Sequence, residues 1–216
     1  MGDGGEPDVL TFRAPGAVFT EREHTVPLDH ADPGGPTISV FTREVASPDG
    51  LDRPYLVFLQ GGPGFEAVRP MSPPMGWMKR ALQDYRVLLL DQRGTGRSTP
   101  VGSHIPGDTP RDQADYLTHF RADSIVRDAE LIRNELGVER WSVLGQSFGG
   151  FTSITYLSIA PDGLDRPYLV FLQGGPGFEA VRPMSPPMGW MKRALQDYRV
   201  LLLDQRGTGQ IGRAHV

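Results

Sequence analysis

Gly145-Gln146-Ser147-Phe148-Gly149-Gly150 lies between the strand-like Trp141-Ser142-Val143-Leu144 and a helical run from Phe151 to Ala160. Strand, G-x-S-x-G and helix in that order predict a turn so sharp that side chains two residues before and two after the serine are excluded. Gly145 and Gly149 occupy those positions. Ser147 is expected to project its hydroxyl above the carboxyl end of the strand. In a chain with 27 glycines the pattern alone is weak, so its meaning rests on the elements around it.

Upstream, a helix is expected from about Ser124 to Leu136, with Asp123 or Ser124 as cap, Ile125, Ala129, Ile132 and Leu136 along one face, and Gly137 as the stop. Before it, Arg97 to Pro110 is rich in Pro, Gly, Ser and Thr and predicts a loop. Tyr55-Leu56-Val57-Phe58-Leu59 and Val87-Leu88-Leu89-Leu90 are unbroken apolar runs. Continuous apolarity predicts strands buried on both faces, hence central and parallel. Trp77 to Asp84 between them predicts a short amphipathic helix and completes a β-α-β unit. Val18 to Val26 and Ile38 to Val45 predict a hairpin across the turn-rich stretch from Asp29 to Pro36. Residues 1–16, dense in Gly, Asp and Pro, predict a flexible leader. A hairpin followed by strands alternating with helices predicts an α/β fold with a mostly parallel sheet.

Downstream the chain repeats itself. Residues 161–209 match 48–96 at all 49 positions, at an offset of 113. Solenoid repeats drift and recur several times, whereas this is one perfect copy of a β-α-β unit. The last seven residues, Gln210 to Val216, depart from the first copy and carry no periodicity. Ile211 to Val216 is what a short-read sequencing adapter encodes in one frame, with a stop codon next. The expectation is a truncated, misjoined gene with a non-native tail at 210–216. Amplification of the same junction and tail from source DNA would refute it.

Composition excludes several classes. The net charge is −4 and no basic run exists, which argues against nucleic acid. No apolar run approaches the roughly 18 residues of a membrane span, and the acidic Met1-Gly2-Asp3-Gly4-Gly5-Glu6 lacks the pattern of a signal peptide. Zero cysteines exclude disulfides and thiolate metal sites and fit a cytoplasmic location. His24, His30 and His119 have no partners at metal-ligand spacing and are expected as surface or hairpin residues. No metal or cofactor is implied.

Three stretches in order carry a resemblance. Gln60-Gly61-Gly62-Pro63-Gly64-Phe65-Glu66 follows the first buried strand, Asp91-Gln92-Arg93-Gly94-Thr95-Gly96-Arg97-Ser98 the second, and the Ser147 turn the third. Together they resemble the prolyl aminopeptidase (proline iminopeptidase) family of α/β-hydrolases, directly over about residues 17–160. The resemblance implies the N-terminal half of an α/β-hydrolase fold, lacking the lid and late strands. It implies Ser147 as nucleophile and the backbone N–H groups of Phe148 and Gly62 as the oxyanion hole. Gly61 and Gly64 would let the loop approach the substrate, a peptide with a free N-terminus, without cofactor. One departure is Gln60, where the family's loop usually opens with His.

In this family the triad acid and base follow the serine. After Ser147 the only histidine is His215, in the tail, and the acids Asp162, Asp165, Glu179, Asp197 and Asp204 all lie in the copied segment. Triad acid and base are therefore expected to be absent. His104, in the loop beyond the second buried strand, is on the side of the sheet expected for Ser147 and is a remote substitute. Asp91 and Arg93 are expected to pair and hold their loop, Glu66 to be a solvated carboxylate, and Trp77 and Met78 to pack. Two functions stay open: a serine aminopeptidase preferring N-terminal proline, and a non-catalytic fragment. An esterase of the same fold is a third. Oligomeric state is not indicated.

Overall fold

The computed structural model describes residues 9–70 and 72–165, together with the backbone of Tyr168–Leu172 and Arg199–Leu203. The chain divides into two compact units, Met1–Asp165 and Arg166–Val216.

The first unit is built on a six-stranded sheet. Its strands are β1 (Leu10–Ala14), β2 (Ala17–Pro27), β3 (Thr37–Ala46), β4 (Tyr55–Leu59), β5 (Arg86–Leu90) and β6 (Ser142–Gly145). Their spatial order is β1-β2-β3-β5-β4-β6. The hairpin expected from the turn-rich stretch forms between β2 and β3, with Val26 opposite Ile38. β5, β4 and β6 run parallel to one another, and β3 joins them antiparallel to β5. The sheet is thus mixed, with its parallel part where the two continuous apolar runs lie.

Continuous apolarity works as burial on both faces. Val57, Leu59, Leu88 and Leu90 pack with Ile125, Val126, Ala129, Ile132, Trp141 and Tyr156 on one face. Their neighbours Leu56, Phe58, Val87 and Leu89 pack with Ala67, Met78 and Leu82 on the other. Period-two alternation sends successive side chains to opposite faces, and helices cover both. On the first face are α3 (Ala122–Glu135) and α4 (Phe148–Ile159), and on the second is α1 (Gly76–Ala81).

Four details differ from expectation. Residues 10–14 of the expected leader form β1, antiparallel to β2, with Phe12 stacked on Phe19 at 5.1 Å between ring centroids. The helix expected over 77–84 is α1, six residues long and ending near Leu82. A helix not anticipated, α2 (Pro110–Thr118), buries no residue. A reciprocal capping box starts it: the Asp112 N–H donates to the Thr109 hydroxyl at 3.2 Å, and the Thr109 N–H donates to the Asp112 carboxylate at 2.9 Å. α3 begins two residues early, with Arg121 at its N-cap and no side-chain cap bond.

Pro161–Gly163 forms one 3-10 turn, and Leu164 pairs in parallel with Trp141 beside β6. In the second unit β7 (Tyr168–Leu172) and β8 (Arg199–Leu203) pair in parallel, with Tyr168 opposite Arg199. This is the register of Tyr55 opposite Arg86 in the first copy. The helix expected within the copy and the tail at 210–216 lie outside the described residues.

Candidate active site

The carboxyl ends of β4 and β6 meet at Ser147. Its backbone takes φ +53° and ψ −115°, a conformation that an L residue adopts only under strain. Close packing of three segments imposes this. A Cβ on Gly149 would fall 1.9 Å from the Leu59 carbonyl oxygen of β4, and one on Gly145 would fall 2.2 Å from the Gly149 carbonyl oxygen. Both positions that the G-x-S-x-G spacing singles out are therefore sterically closed. Gly150 is different, since a Cβ there meets nothing nearer than 3.8 Å.

The loop after β4 lies against this turn. A Cβ on Gly61 would fall 2.3 Å from the Gln146 carbonyl oxygen and 2.8 Å from the Ser147 Cβ. The Gln146 N–H donates to the Leu59 carbonyl at 3.2 Å, so the two loops leave the sheet side by side. Among the described residues, the N–H groups of Phe148 and Gly62 donate to no protein acceptor. Ser147 is exposed, and its hydroxyl has no hydrogen-bond partner among those residues. The turn thus presents a free hydroxyl with two unengaged donors nearby. The Gln60 carbonyl accepts from Gln92 Nε2 at 3.0 Å, while Gln60 Oε1 is buried without a partner.

Asp91 anchors the loop from the other side. Fully buried, it accepts from the Ala67 N–H, the Arg97 N–H and Arg69 Nη2, each at 3.0 Å. Ser98 accepts from the Phe41 N–H at 2.8 Å and donates to the Asp91 carbonyl at 2.5 Å, tying the same loop to β3. The expected Asp91–Arg93 pair does not form. Arg93 instead makes a buried two-pronged contact with Asp128 of α3, at 2.6 and 2.5 Å, and donates to the Pro27, Leu28 and His119 carbonyls. An arginine at the end of a buried strand can reach no exposed partner, and the acid on the inner face of α3 is 35 residues away in sequence. Glu66 is exposed, Met78 is buried, and Trp77 packs its ring 4.9 Å from that of Phe58 while staying 40% exposed.

None of the described histidines hydrogen-bonds to Ser147. His24, expected as a surface or hairpin residue, lies on the hairpin strand β2 but is 2% exposed, bonded to Thr42 and to Glu135 of α3, each at 2.9 Å. His30 contacts Asp128 at 2.9 Å and Arg93 at 3.0 Å. His104 is exposed, and no hydrogen bond joins it to Ser147. His215 lies outside the described residues. Among those residues no three imidazole or carboxylate groups converge as a metal site, and no helix is long and apolar enough to cross a membrane.

The anchor at Asp91 and the Arg93–Asp128–His30 cluster went unread in the sequence as contacts. Their signal was a charged pair at the end of an apolar strand, Asp91-Gln92-Arg93, which must find partners when buried.

Residues 54–166, just over half of the chain, match the family described as alpha/beta hydrolase fold. A proline iminopeptidase of Aeromonas sobria is 61% identical over 150 residues, covering 67% of this chain and 35% of that protein. A proline iminopeptidase of Aspergillus aculeatus is 39% identical over 183 residues, covering 78% and 40%. Among solved structures, a proline iminopeptidase-related protein of Thermus thermophilus is 27% identical, with a TM-score of 0.44, covering 69% and 44%. The chain spans well under half the length of the curated relatives it matches. With a strand–Ser147–helix turn at the carboxyl end of a parallel sheet and this match, the chain belongs to the alpha/beta hydrolase fold family.

Proposed function

We propose that the chain carries the nucleophile half of a serine aminopeptidase that releases N-terminal residues, preferentially proline, from peptides with a free N-terminus. The observation that carries this is Ser147, held at φ +53° with a free hydroxyl beside two unengaged N–H groups. In acyl transfer the Ser147 Oγ attacks the carbonyl carbon of the N-terminal residue itself; its ester forms at Oγ as the C–N bond breaks, and the following residue leaves as a protonated amine. Charge developing on the carbonyl oxygen falls to the N–H groups of Phe148 and Gly62, pre-aimed by the elbow and the Gly61–Gly64 loop. Water then hydrolyses the ester. The identities to the proline iminopeptidases of Aeromonas sobria and Aspergillus aculeatus support the substrate class.

The proton of Ser147 needs an acceptor, and none of the described histidines is bonded to it. This stretch alone is therefore expected to retain only the residual catalysis of an oxyanion hole, on the order of a thousandfold to ten-thousandfold over water. A cytoplasmic location fits the absence of cysteine. A fluorophosphonate tests the nucleophile. Slow modification at Ser147, abolished in Ser147→Ala, is expected, with little release from a proline chromogenic amide. Folded chain that is never modified at Ser147 refutes the assignment, and rapid amide release refutes the missing base.

A further inference from the structure

We propose that Phe65 is a specificity-determining residue, its ring forming the wall that receives the pyrrolidine ring of an N-terminal proline. This rests on the aminopeptidase assignment above. Gly62 and Gly64 take φ +69° and +101°, and the Phe65 N–H donates to the Gly62 carbonyl at 3.2 Å, closing a tight turn. The turn folds the phenyl ring back over Gly62: a Cβ there would fall 3.0 Å from Phe65 Cδ2 and 3.5 Å from Cε2. Gly62 supplies the N–H assigned to the substrate's carbonyl oxygen, and the preceding glycine abuts the Ser147 Cβ. The ring therefore lies against the glycine whose N–H is assigned to the reacting carbonyl, on a turn closed by a backbone hydrogen bond.

The remainder of the ring faces outward. Phe65 is 68% exposed, and Val68 and Met75 on the same connection are 52% and 60% exposed. Scattered exposed apolar side chains need no explanation, but this one is packed on one side against a candidate oxyanion donor and is bare on the other. An aromatic face suits a saturated five-membered ring, which has no hydrogen-bonding group of its own beyond the amine and is selected by apolar contact and shape. Removing such contact between closely related substrates changes discrimination by about 10- to 200-fold.

Two diphenyl aminophosphonates, one with the pyrrolidine ring of proline and one with the methyl side chain of alanine, read this out without turnover. Ser147 Oγ bonds to phosphorus as phenoxide leaves, and the adduct is counted by mass spectrometry on the full chain. The prolyl probe is expected to modify Ser147 at least about tenfold faster than the alanyl probe. Phe65→Ala should lose most of that ratio, and Phe65→Leu, apolar but without a flat face, should fall between. Thermal melts of each variant check that the fold is kept. An unchanged ratio in both variants overturns the role of Phe65 alone. Absence of any adduct at Ser147 in folded wild-type chain overturns the nucleophile assignment, and this inference with it.

Discussion

At Ser147 a strained backbone holds the hydroxyl clear of the sheet. Positive φ at a residue with a Cβ costs about 1–3 kcal/mol, and α4 gains no cap bond from this side chain in exchange. Ser147→Gly removes the strain and adds back less than about 1 kcal/mol of unfolded-chain entropy. It should raise stability by about 1 kcal/mol, seen as a higher urea midpoint at unchanged slope; a lower midpoint would show that the turn is not strained. The neighbouring glycines divide. Gly149→Ala drives a methyl into the Leu59 carbonyl 1.9 Å away and should cost about 3 kcal/mol, the upper range for overpacking. Gly150→Ala, with 3.8 Å of room inside α4, should stabilise by about 0.5–1 kcal/mol. Equal effects at 149 and 150 would contradict the packing described. Residues of this kind were legible in the sequence because their constraint is local: the spacing of Gly145 and Gly149 about a serine states it. His24 and Arg93 were not, because what they bond to arrives from α3, roughly 35 to 110 residues later in the chain.

Elements were legible where a core made them and illegible where a cap did. β4 and β5 declare themselves through runs of apolar residues that end in two separate clusters. α2 buries nothing and stands on the Thr109–Asp112 box, so no core packing backs this short, polar stretch. β1 was hidden by a Gly- and Pro-rich neighbourhood, although Gly16 at φ +76° is the turn that folds it onto β2. The copied sequence shows context overriding propensity in one molecule. Leu51 is 46% exposed in the approach to β4, whereas its twin Leu164 is 5% exposed beside Trp141. α3 depends on a distant partner: it is fastened to the loop after β5 by Arg93 and Asp128, whose side chains are 0% and 1% exposed. Asp128→Asn leaves that guanidinium charge buried and unpaired, and should lower stability by about 3–5 kcal/mol. Arg93→Met with Asp128→Leu should recover much of the loss, measured by denaturation of the single and double variants. A single variant within about 1 kcal/mol of wild type, the range of solvated pairs, would mean that water reaches this one.

Across the first unit, the Glu130 carboxylate is where α3, α4 and the 161–163 turn come together, with Trp141, just before β6, joined through Tyr156. Tyr156 donates its hydroxyl to Glu130, and Trp141 Nε1 donates to the Tyr156 oxygen at 2.9 Å. Arg133 grips both carboxylate oxygens, at 2.8 and 2.7 Å, and a Cβ on Gly163 would fall 2.2 Å from Glu130 Oε1. Burial by itself would push the Glu130 carboxyl up, but the bonds from Arg133 and Tyr156 outweigh it and hold the group below its ordinary value of 4.5. Burial and the same carboxylate push the Tyr156 phenol above its ordinary range, so it stays a donor through neutral pH. For an acid whose value falls on folding, the folded state binds fewer protons than the unfolded one. The stabilisation is therefore complete above about pH 4.5–5 and is lost as pH falls through the lower folded value. Glu130→Gln keeps the shape and removes the charge. Its deficit relative to wild type should be constant between about pH 7 and pH 5 and should shrink steadily below about pH 4.5, read from urea midpoints across that range. The deficit closes because wild type loses the charge that the variant never had. A deficit that widens in acid would mean that the carboxyl is neutral in the fold, and one that stays level would mean that packing rather than charge joins these elements.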